Sequence, residues 1–319
     1  MRPRGCANAD ETNDTDLTNS LEHSGMRGVL SPLRYPGGKR RLASYIAETL
    51  VLNNLQPGLF VEPFAGGASV SLRLLLGGFV KSIGLGESDP LLASFWKIVF
   101  DDPQWLVNQI MAIPITVETW DRFRSMTPRS HRERALACLF LNRTSFSGIL
   151  APGAGPIGGR SQTSAYKIDC RFPVEEICRR VLSISRAAEQ VRFVNEGDWK
   201  ETMEESLRTI QKGEDLCFYL DPPFYSQGRR LYSHYFEPEE HILLRDYLIS
   251  MNTPWILSYD ANDAILELYS SNGYRPKQVQ VLYSASRSGG PAAEEVVVTN
   301  LGCLPHRTRL WRTKAERAR

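Results

Sequence analysis

The sequence predicts an α/β protein. Its core is expected to be a doubly wound, mostly parallel sheet of Rossmann-like type, with an antiparallel hairpin at one edge and an inserted, mainly helical domain. Three observations predict it. Five short apolar runs, at 59–61, 82–85, 191–194, 216–220 and 255–257, each lead into a polar or acidic residue and then a helical pattern, as expected of strands buried on both faces and covered by helices. Near the C-terminus, 278–283 and 295–299 alternate as strands do, around a loop rich in Ser, Gly and Pro, which places an antiparallel pair at the sheet edge. Between the second and third runs, residues 101–186 change character. They carry helical pieces, Trp105 and Trp120, many arginines and the stretch APGAGPIGG at 151–159, and read as an insertion that divides the main domain into 31–100 and 187–305. Ahead of the first strand, Leu42, Tyr45, Ile46, Thr49 and Leu50 recur at the 3.6-residue period of a helix with one apolar face.

Composition narrows the class. Of 319 residues, 42% are hydrophobic and 23% charged, ordinary globular usage that excludes a fibrous repeat, a long disordered polymer and a disulfide-stapled miniprotein. No stretch approaches the roughly 18 uninterrupted apolar residues of a membrane helix, because the richest, around Val70 to Val80, is broken by Arg73, Gly77 and Gly78. A soluble, cytoplasmic protein is expected. Residues 1–30 lack the apolar core of a signal peptide and are rich in Asn, Asp, Thr and Ser, so they read as a disordered tail, with Met26 an alternative start. The six cysteines form no CxxC pair and no metal-ligand spacing, so reduced thiols and no metal are expected. The net charge is +2, yet residues 120–180 carry +6 and the basic tail 306–319 carries +5, which leaves the rest at −9. Such asymmetry suits a polyanionic partner docking on one region, although a basic stretch is also what any solvated face looks like.

Three motifs carry chemistry. In Phe60-Val61-Glu62-Pro63-Phe64-Ala65-Gly66-Gly67-Ala68-Ser69, an apolar strand runs through a glycine turn into a helix, the place where open parallel sheets bind nucleotides. About 20 residues later the second strand ends in Glu87-Ser88-Asp89 before Pro90. An acid there can hold the hydroxyls of a ribose, and Ser88 or Asp89 can cap the next helix. The third motif, Leu216-Cys-Phe-Tyr-Leu-Asp221-Pro222-Pro223-Phe224-Tyr225, is a buried strand ending on an acid and two prolines. Proline fixes φ and lacks an N–H, so the corner is rigid and offers acceptors only. That is complementary to an amino group, while Phe224 supplies a flat apolar surface for an aromatic ring. Leu33-Arg34-Tyr35-Pro36-Gly37-Gly38-Lys39 contains a Gly-Gly-Lys before a helix, but GxxxxGK[ST] is absent and Arg40 follows the lysine, which disfavours a nucleoside triphosphatase.

Taken in order, YPGGK, FVEPFAGGAS, GESD, LFLNRTSFSG at 139–148, DPPF and EEVVVTN at 294–300 resemble the DNA adenine methylase (Dam-like, D12 class) family of S-adenosylmethionine-dependent N6-adenine methyltransferases. The resemblance covers about 33–302, and the order of glycine motif, inserted recognition segment and DPPF matches the α arrangement of amino-methyltransferases. It implies S-adenosylmethionine as cofactor, contacted by Tyr35 and Lys39, cradled by the backbone from Phe64 through Gly66 to Gly67, held at its ribose by Glu87 and at its adenine by Asp198. It implies that Asp221 and the Pro222 carbonyl grip the target amino group, with Pro223 stiffening the corner and Phe224 stacking on the flipped base. Double-stranded DNA is the implied partner, held by Arg122, Arg124, Arg143 and Arg160 of the insertion. A monomer or weak dimer is expected, and a cognate restriction endonuclease acting separately is compatible with such an enzyme.

The family often carries tryptophan or tyrosine at the position of Tyr35, tyrosine at Phe224 and glycine at Ala68. These departures conserve stacking and turn geometry. In the insertion, APGAGPIGGRSQTSAYKIDCRF replaces a more basic hairpin, so a target sequence does not transfer. An acceptor-only corner also suits an RNA or other amino-methyltransferase, and a catalytically silent DNA-binding module would keep the fold. A dinucleotide oxidoreductase is the weakest alternative, since no GxGxxG follows the first strand.

Overall fold

The computed structural model describes residues 30–34, 39, 41–151, 153–225, 236–281 and 293–310. The strands are β1 (Leu59–Glu62), β2 (Ser82–Glu87), β3 (Val191–Glu196), β4 (Leu216–Leu220), β5 (Trp255–Asp260), β6 (Lys277–Val281) and β7 (Ala293–Thr299). They form one sheet in the order β3-β2-β1-β4-β5-β7-β6. The first five pair in parallel, and β7 runs antiparallel between β5 and β6. The expected parallel sheet with an antiparallel edge hairpin is therefore present. β3 and β5 continue past their apolar runs to Glu196 and Asp260, because polar residues at a strand's carboxyl end still pair with the neighbouring strand.

Alternate residues of each strand supply opposite cores, as a period of two requires. On β1 and β4, Phe60, Cys217 and Tyr219 point to one layer, while Leu59, Val61, Leu216, Phe218 and Leu220 point to the other. The first layer holds the helices α1 (Leu42–Leu52), α2 (Ser69–Leu76) and α3 (Pro90–Asp101). The second is covered by α8 (Trp199–Thr209), α9 (Pro238–Ser250) and α10 (Asp263–Ser270). Local signals start several of these helices. Asp89 accepts from the Leu91 N–H ahead of Pro90, and Asp198 with Glu201 forms a reciprocal capping box on α8.

Between β2 and β3 lie α3 and the insertion helices α4 (Pro103–Ala112), α5 (Val117–Ser125), α6 (His131–Thr144) and α7 (Val174–Ser185). Leu106, Trp120, Phe123, Phe140, Ile177 and Val181 of these helices share a single core with α1, α2 and α3. The insertion is mainly helical, as expected, and the boundary read at 101 falls between helices α3 and α4 within a continuous core.

One expectation is extended and one corrected. Helix α1 buries the expected face and, beyond it, Ala43, Ala47 and Glu48, because the C-terminal segment covers its outer side. There Tyr45 donates to the Pro305 carbonyl at 3.3 Å, Asn53 donates to that of Cys303 at 2.8 Å, and Arg307 pairs with Glu48 at 2.8 Å. The basic stretch from 306 is accordingly docked at its start: Gln280 of β6 donates to the Thr308 carbonyl at 2.7 Å and accepts from the Leu310 N–H at 3.0 Å. Cys138, Cys170, Cys178 and Cys217 are free, but Cys303 is disulfide-bonded, against the expectation of reduced thiols throughout. Of the expected tail 1–30, residues 1–29 lie outside the described residues, as do residues 311–319.

Candidate active site

The site is assembled at the carboxyl ends of β1, β2, β3 and β4, where a doubly wound sheet leaves a crevice. Chain leaving β1 turns through Ala65 and Gly66, the latter at φ 47°, a left-handed conformation that glycine adopts without steric cost. This turn is clamped to β2: the Ala65 N–H donates to the Gly86 carbonyl at 2.9 Å, and the Gly66 N–H donates to Glu87 Oε2 at 2.8 Å. Buried Trp96 of α3 donates from its indole nitrogen to the Gly66 carbonyl at 2.9 Å. Ala68 then adopts φ 47° immediately before α2, where glycine would be relaxed.

Glu87 is 8% exposed, and its other oxygen accepts from the Asp89 N–H at 3.3 Å. Burial, followed by the charge of Asp89, pushes its carboxyl up to about 7 despite these donors. Glu62, at the end of β1, accepts from the Ser71 N–H at 3.1 Å and is pushed up to about 8, chiefly by burial and further by the charges of Asp221 and Glu87. Glu62 thus lies between the ribose-type acid and the DPPF corner. On the next strand, the Gly197 N–H donates to the Glu87 carbonyl at 3.2 Å, which brings Asp198 beside Glu87. Asp198 is exposed, and its Oδ1 accepts from the Glu201 N–H at 2.9 Å as the cap of α8.

At the end of β4, Asp221 Oδ1 accepts from Ser258 Oγ at 3.0 Å and pairs with Lys39 Nζ at 3.2 Å. Lys39 is buried and also donates to Glu295 of β7 at 2.7 Å, while its ammonium lies 5.5 Å from the centroid of Phe224. Ser258 is in turn bonded to the Tyr219 hydroxyl at 2.8 Å. Burial raises the Asp221 carboxyl to about 6; Lys39 opposes the rise and Glu295 adds to it. One edge remains open, since the Asp221 side chain is 22% exposed. Phe64 packs edge-on against Phe236 at 5.6 Å between ring centroids.

Residues separated by nearly the whole chain therefore meet here. Gly66 and Glu87 bond directly, and Lys39, Asp221 and Phe224 form one cluster. Tyr35 lies outside the described residues. Ser258, Trp96, Glu62 and Glu295 were not singled out from the sequence. For Glu295 a signal existed in the acidic start of EEVVVTN, but a strand pattern does not say which acid faces a distant lysine.

The four arginines of the insertion fare differently. Arg122 stacks on Phe123 at 5.1 Å, and Arg160 is exposed, pairing with Asp121 at 2.8 Å and lying 6.0 Å from the Trp120 ring centroid. Both line an open groove of about 910 Å³ with Trp120, Gly153 and Ala154. Arg124 faces the same groove, but its guanidinium donates to the carbonyls of Leu150, Ala151 and Ala154, so it shapes the glycine-rich loop. Arg143 is only 6% exposed, and it does not stand on the surface beside the others.

The chain is similar to known proteins. The family model of the D12 class N6 adenine-specific DNA methyltransferases matches residues 35–284. The Type II methyltransferase M.CviBI of Paramecium bursaria Chlorella virus NC1A is 21% identical over 278 residues, spanning 84% of this chain and 96% of that protein. A solved Pyrococcus horikoshii protein assigned as an RNA methyltransferase superposes with a TM-score of 0.37 at 12% identity, covering 90% of this chain and 97% of its own. With its glycine turn, acid and Asp-Pro-Pro-Phe corner all inside the matched span, the chain belongs to the D12 class N6 adenine-specific DNA methyltransferase family.

Proposed function

We propose that this protein transfers a methyl group from S-adenosylmethionine to the N6 amino group of an adenine flipped out of double-stranded DNA, at a specific sequence. The observation that carries this reading is the Asp221–Pro222 corner, whose carboxylate is pinned by Lys39 and Ser258 and whose open edge offers acceptors without donors. An amino group entering there donates one N–H to Asp221 and the other to the Pro222 carbonyl. Both bonds strengthen as positive charge develops on nitrogen, so they stabilise the transition state more than the ground state. Asp221 need not remove a proton first, because proton loss can follow transfer. Phe224 supplies the face on which the extruded base stacks, offsetting part of the few kcal/mol that flipping costs.

The residues fit the cofactor. Each Glu87 oxygen takes one backbone N–H, which leaves lone pairs for two ribose hydroxyls. Burial raises the carboxyls of Glu62, Glu87 and Asp221, an environment that a cationic ligand relieves. Bound S-adenosylmethionine supplies an electrophilic methyl on a sulfonium. The chain's own part is to hold nitrogen in line with that methyl. Asp198, next to Glu87, keeps a second carboxylate oxygen for the adenine amino group of the cofactor. Arg122 and Arg160, on the rim of the groove of the insertion, are the proposed contacts to phosphates or guanine edges.

Purified protein incubated with tritiated S-adenosylmethionine and, in parallel, mixed-sequence unmethylated duplex DNA or RNA tests this reading. Label recovered in N6-methyladenine is the expected result. Label incorporated into RNA but not DNA would transfer the corner to the RNA alternative, and no label with cofactor bound would mark a silent module.

A further inference from the structure

Arg143 is one of the most confined charges in the molecule, and no ion pair among the described residues neutralises it. It closes helix α6 inside the motif LNRTSFSG, is 6% exposed, and its Nε has no hydrogen-bond partner. Burial, and then the charges of Arg180, Arg34 and Arg171, push its guanidinium down to about 10, with Glu176 opposing them. Arg34 carries a second buried, unpartnered nitrogen, Nη1. The nearby carboxylate, Glu176, is taken up by Arg179 at 2.7 Å and by Arg180 at 2.7 Å. Among the described residues, no ion pair joins Arg34, Arg143 or Arg171 to an acid.

The fold holds this arrangement in place. Asn142, beside Arg143, accepts from the Arg34 N–H at 2.7 Å and donates to the Arg34 carbonyl at 2.8 Å and to that of Gly148 at 3.0 Å. Gly148, at φ 76°, allows that approach, because a Cβ there would lie 2.5 Å from the Arg34 carbonyl. Arg180 reaches across to the Ser31 carbonyl at 3.2 Å. The 31–34 strap is thus fastened between α6 and α7 by the Asn142 amide and the Arg180 guanidinium, with the Arg34 charge acting on Arg143 and Arg171. A buried charge held beside like charges, with its nearby carboxylate shared with other arginines, costs folding free energy, and a bound anion would supply the missing charge. Arg171 is exposed and carries the cluster to the surface, as does Phe146, which is 69% exposed three residues after Arg143.

We propose that Arg34, Arg143, Arg171 and Arg180 form a receptor for a backbone phosphate of the DNA substrate, separate from the groove of Arg122 and Arg160. This rests on the DNA-methyltransferase reading above. Guanidinium groups suit such a ligand, since their planar forks donate in pairs to phosphate oxygens. The placement also fits the chemistry. Arg34 precedes Lys39 by five residues, so the cluster begins within about 18 Å of chain from the residue that pins Asp221. A strand gripped there is fixed in register close to the nucleotide being extruded.

The test uses the full-length protein, Arg143→Met, and Arg171→Gln as an exposed variant that leaves the core alone. Inorganic phosphate should raise the melting temperature of the wild type and not that of Arg143→Met. Without phosphate, Arg143→Met should melt no lower than the wild type, because a repelled charge has been removed. Both variants should bind duplex more weakly, Arg143→Met on the order of tenfold, with log affinity against log salt shallower by about one unit. Wild-type affinity and salt slope in both variants would overturn the proposal, as would an Arg143→Met protein that loses stability while its salt slope stays put. Phosphate stabilisation in a wild type that binds no DNA would also overturn it, in favour of a small-anion site. Normal DNA binding without methyl transfer would instead count against the catalytic reading alone.

Discussion

At Asp221, one carboxylate oxygen is shared between a lysine and a serine, and the state of its proton sets what the corner can do. Removing the carboxylate by Asp221→Ala should lower methyl transfer by about a hundredfold or more and leave the melting temperature near that of the wild type, since the side chain belongs to the crevice and not to either core. Retained turnover in that variant would remove this corner from the chemistry. The pH dependence has a definite sign. With Asp221 at about 6, transfer should rise as pH increases through about 6, because only the ionised carboxylate accepts the amino proton. Stability should move the other way. Glu62 and Glu87 are raised to about 8 and about 7 in the folded protein, so above their ordinary values the folded state holds protons that the unfolded chain has released. The cofactor-free protein should therefore lose stability as pH rises from about 5 to about 8. Thermal melts across that range check it, and Glu62→Gln should flatten the curve.

Short elements carry constraints that their own sequences announce only in part. Gly84 and Gly86 on β2 look like weak points in a strand, yet a methyl group at either would overlap the Phe193 ring or the Thr202 side chain. Gly86→Val should cost roughly 1–3 kcal/mol in denaturant unfolding by overpacking, and it should also loosen the Ala65 bond that sets the glycine turn. Asp198 serves α8 as its cap, a role plain in the geometry, and is proposed to serve the cofactor as well. Asp198→Ala should lose about 1 kcal/mol of stability and some cofactor affinity. Asp198→Ser should restore the stability without the affinity, and full recovery of cofactor binding by calorimetry would reduce Asp198 to a cap alone. Arg124 shows the converse. Its basic character suggested a DNA contact, but three loop carbonyls around it give the charge a structural task.

Across the whole molecule, the site depends on three remote segments closing on one another: Lys39 before α1, Asp221 after β4 and Glu295 on the antiparallel strand β7. β7 lies beside β5 with Asp260 opposite Glu295, so the edge hairpin is also a wall of the crevice. Among the described residues, the insertion shares one core with helices of the main domain, which ties the groove of Arg122 and Arg160 to the catalytic crevice. By itself the sequence determined the strands, the glycine turn, the cap at Asp89 and the rigid Asp-Pro-Pro-Phe corner. Each depends on backbone preferences and periodicities expressed within a few residues, and each is legible locally. Only the tertiary structure decided that Glu295 holds Lys39, that Trp96 braces Gly66, and that Arg143 is buried among arginines while Arg160 stays at the surface. Hydrogen bonds and Coulomb interactions act over a few ångströms of space. When the partners are up to 256 residues apart in the chain, as Lys39 and Glu295 are, no local pattern records them.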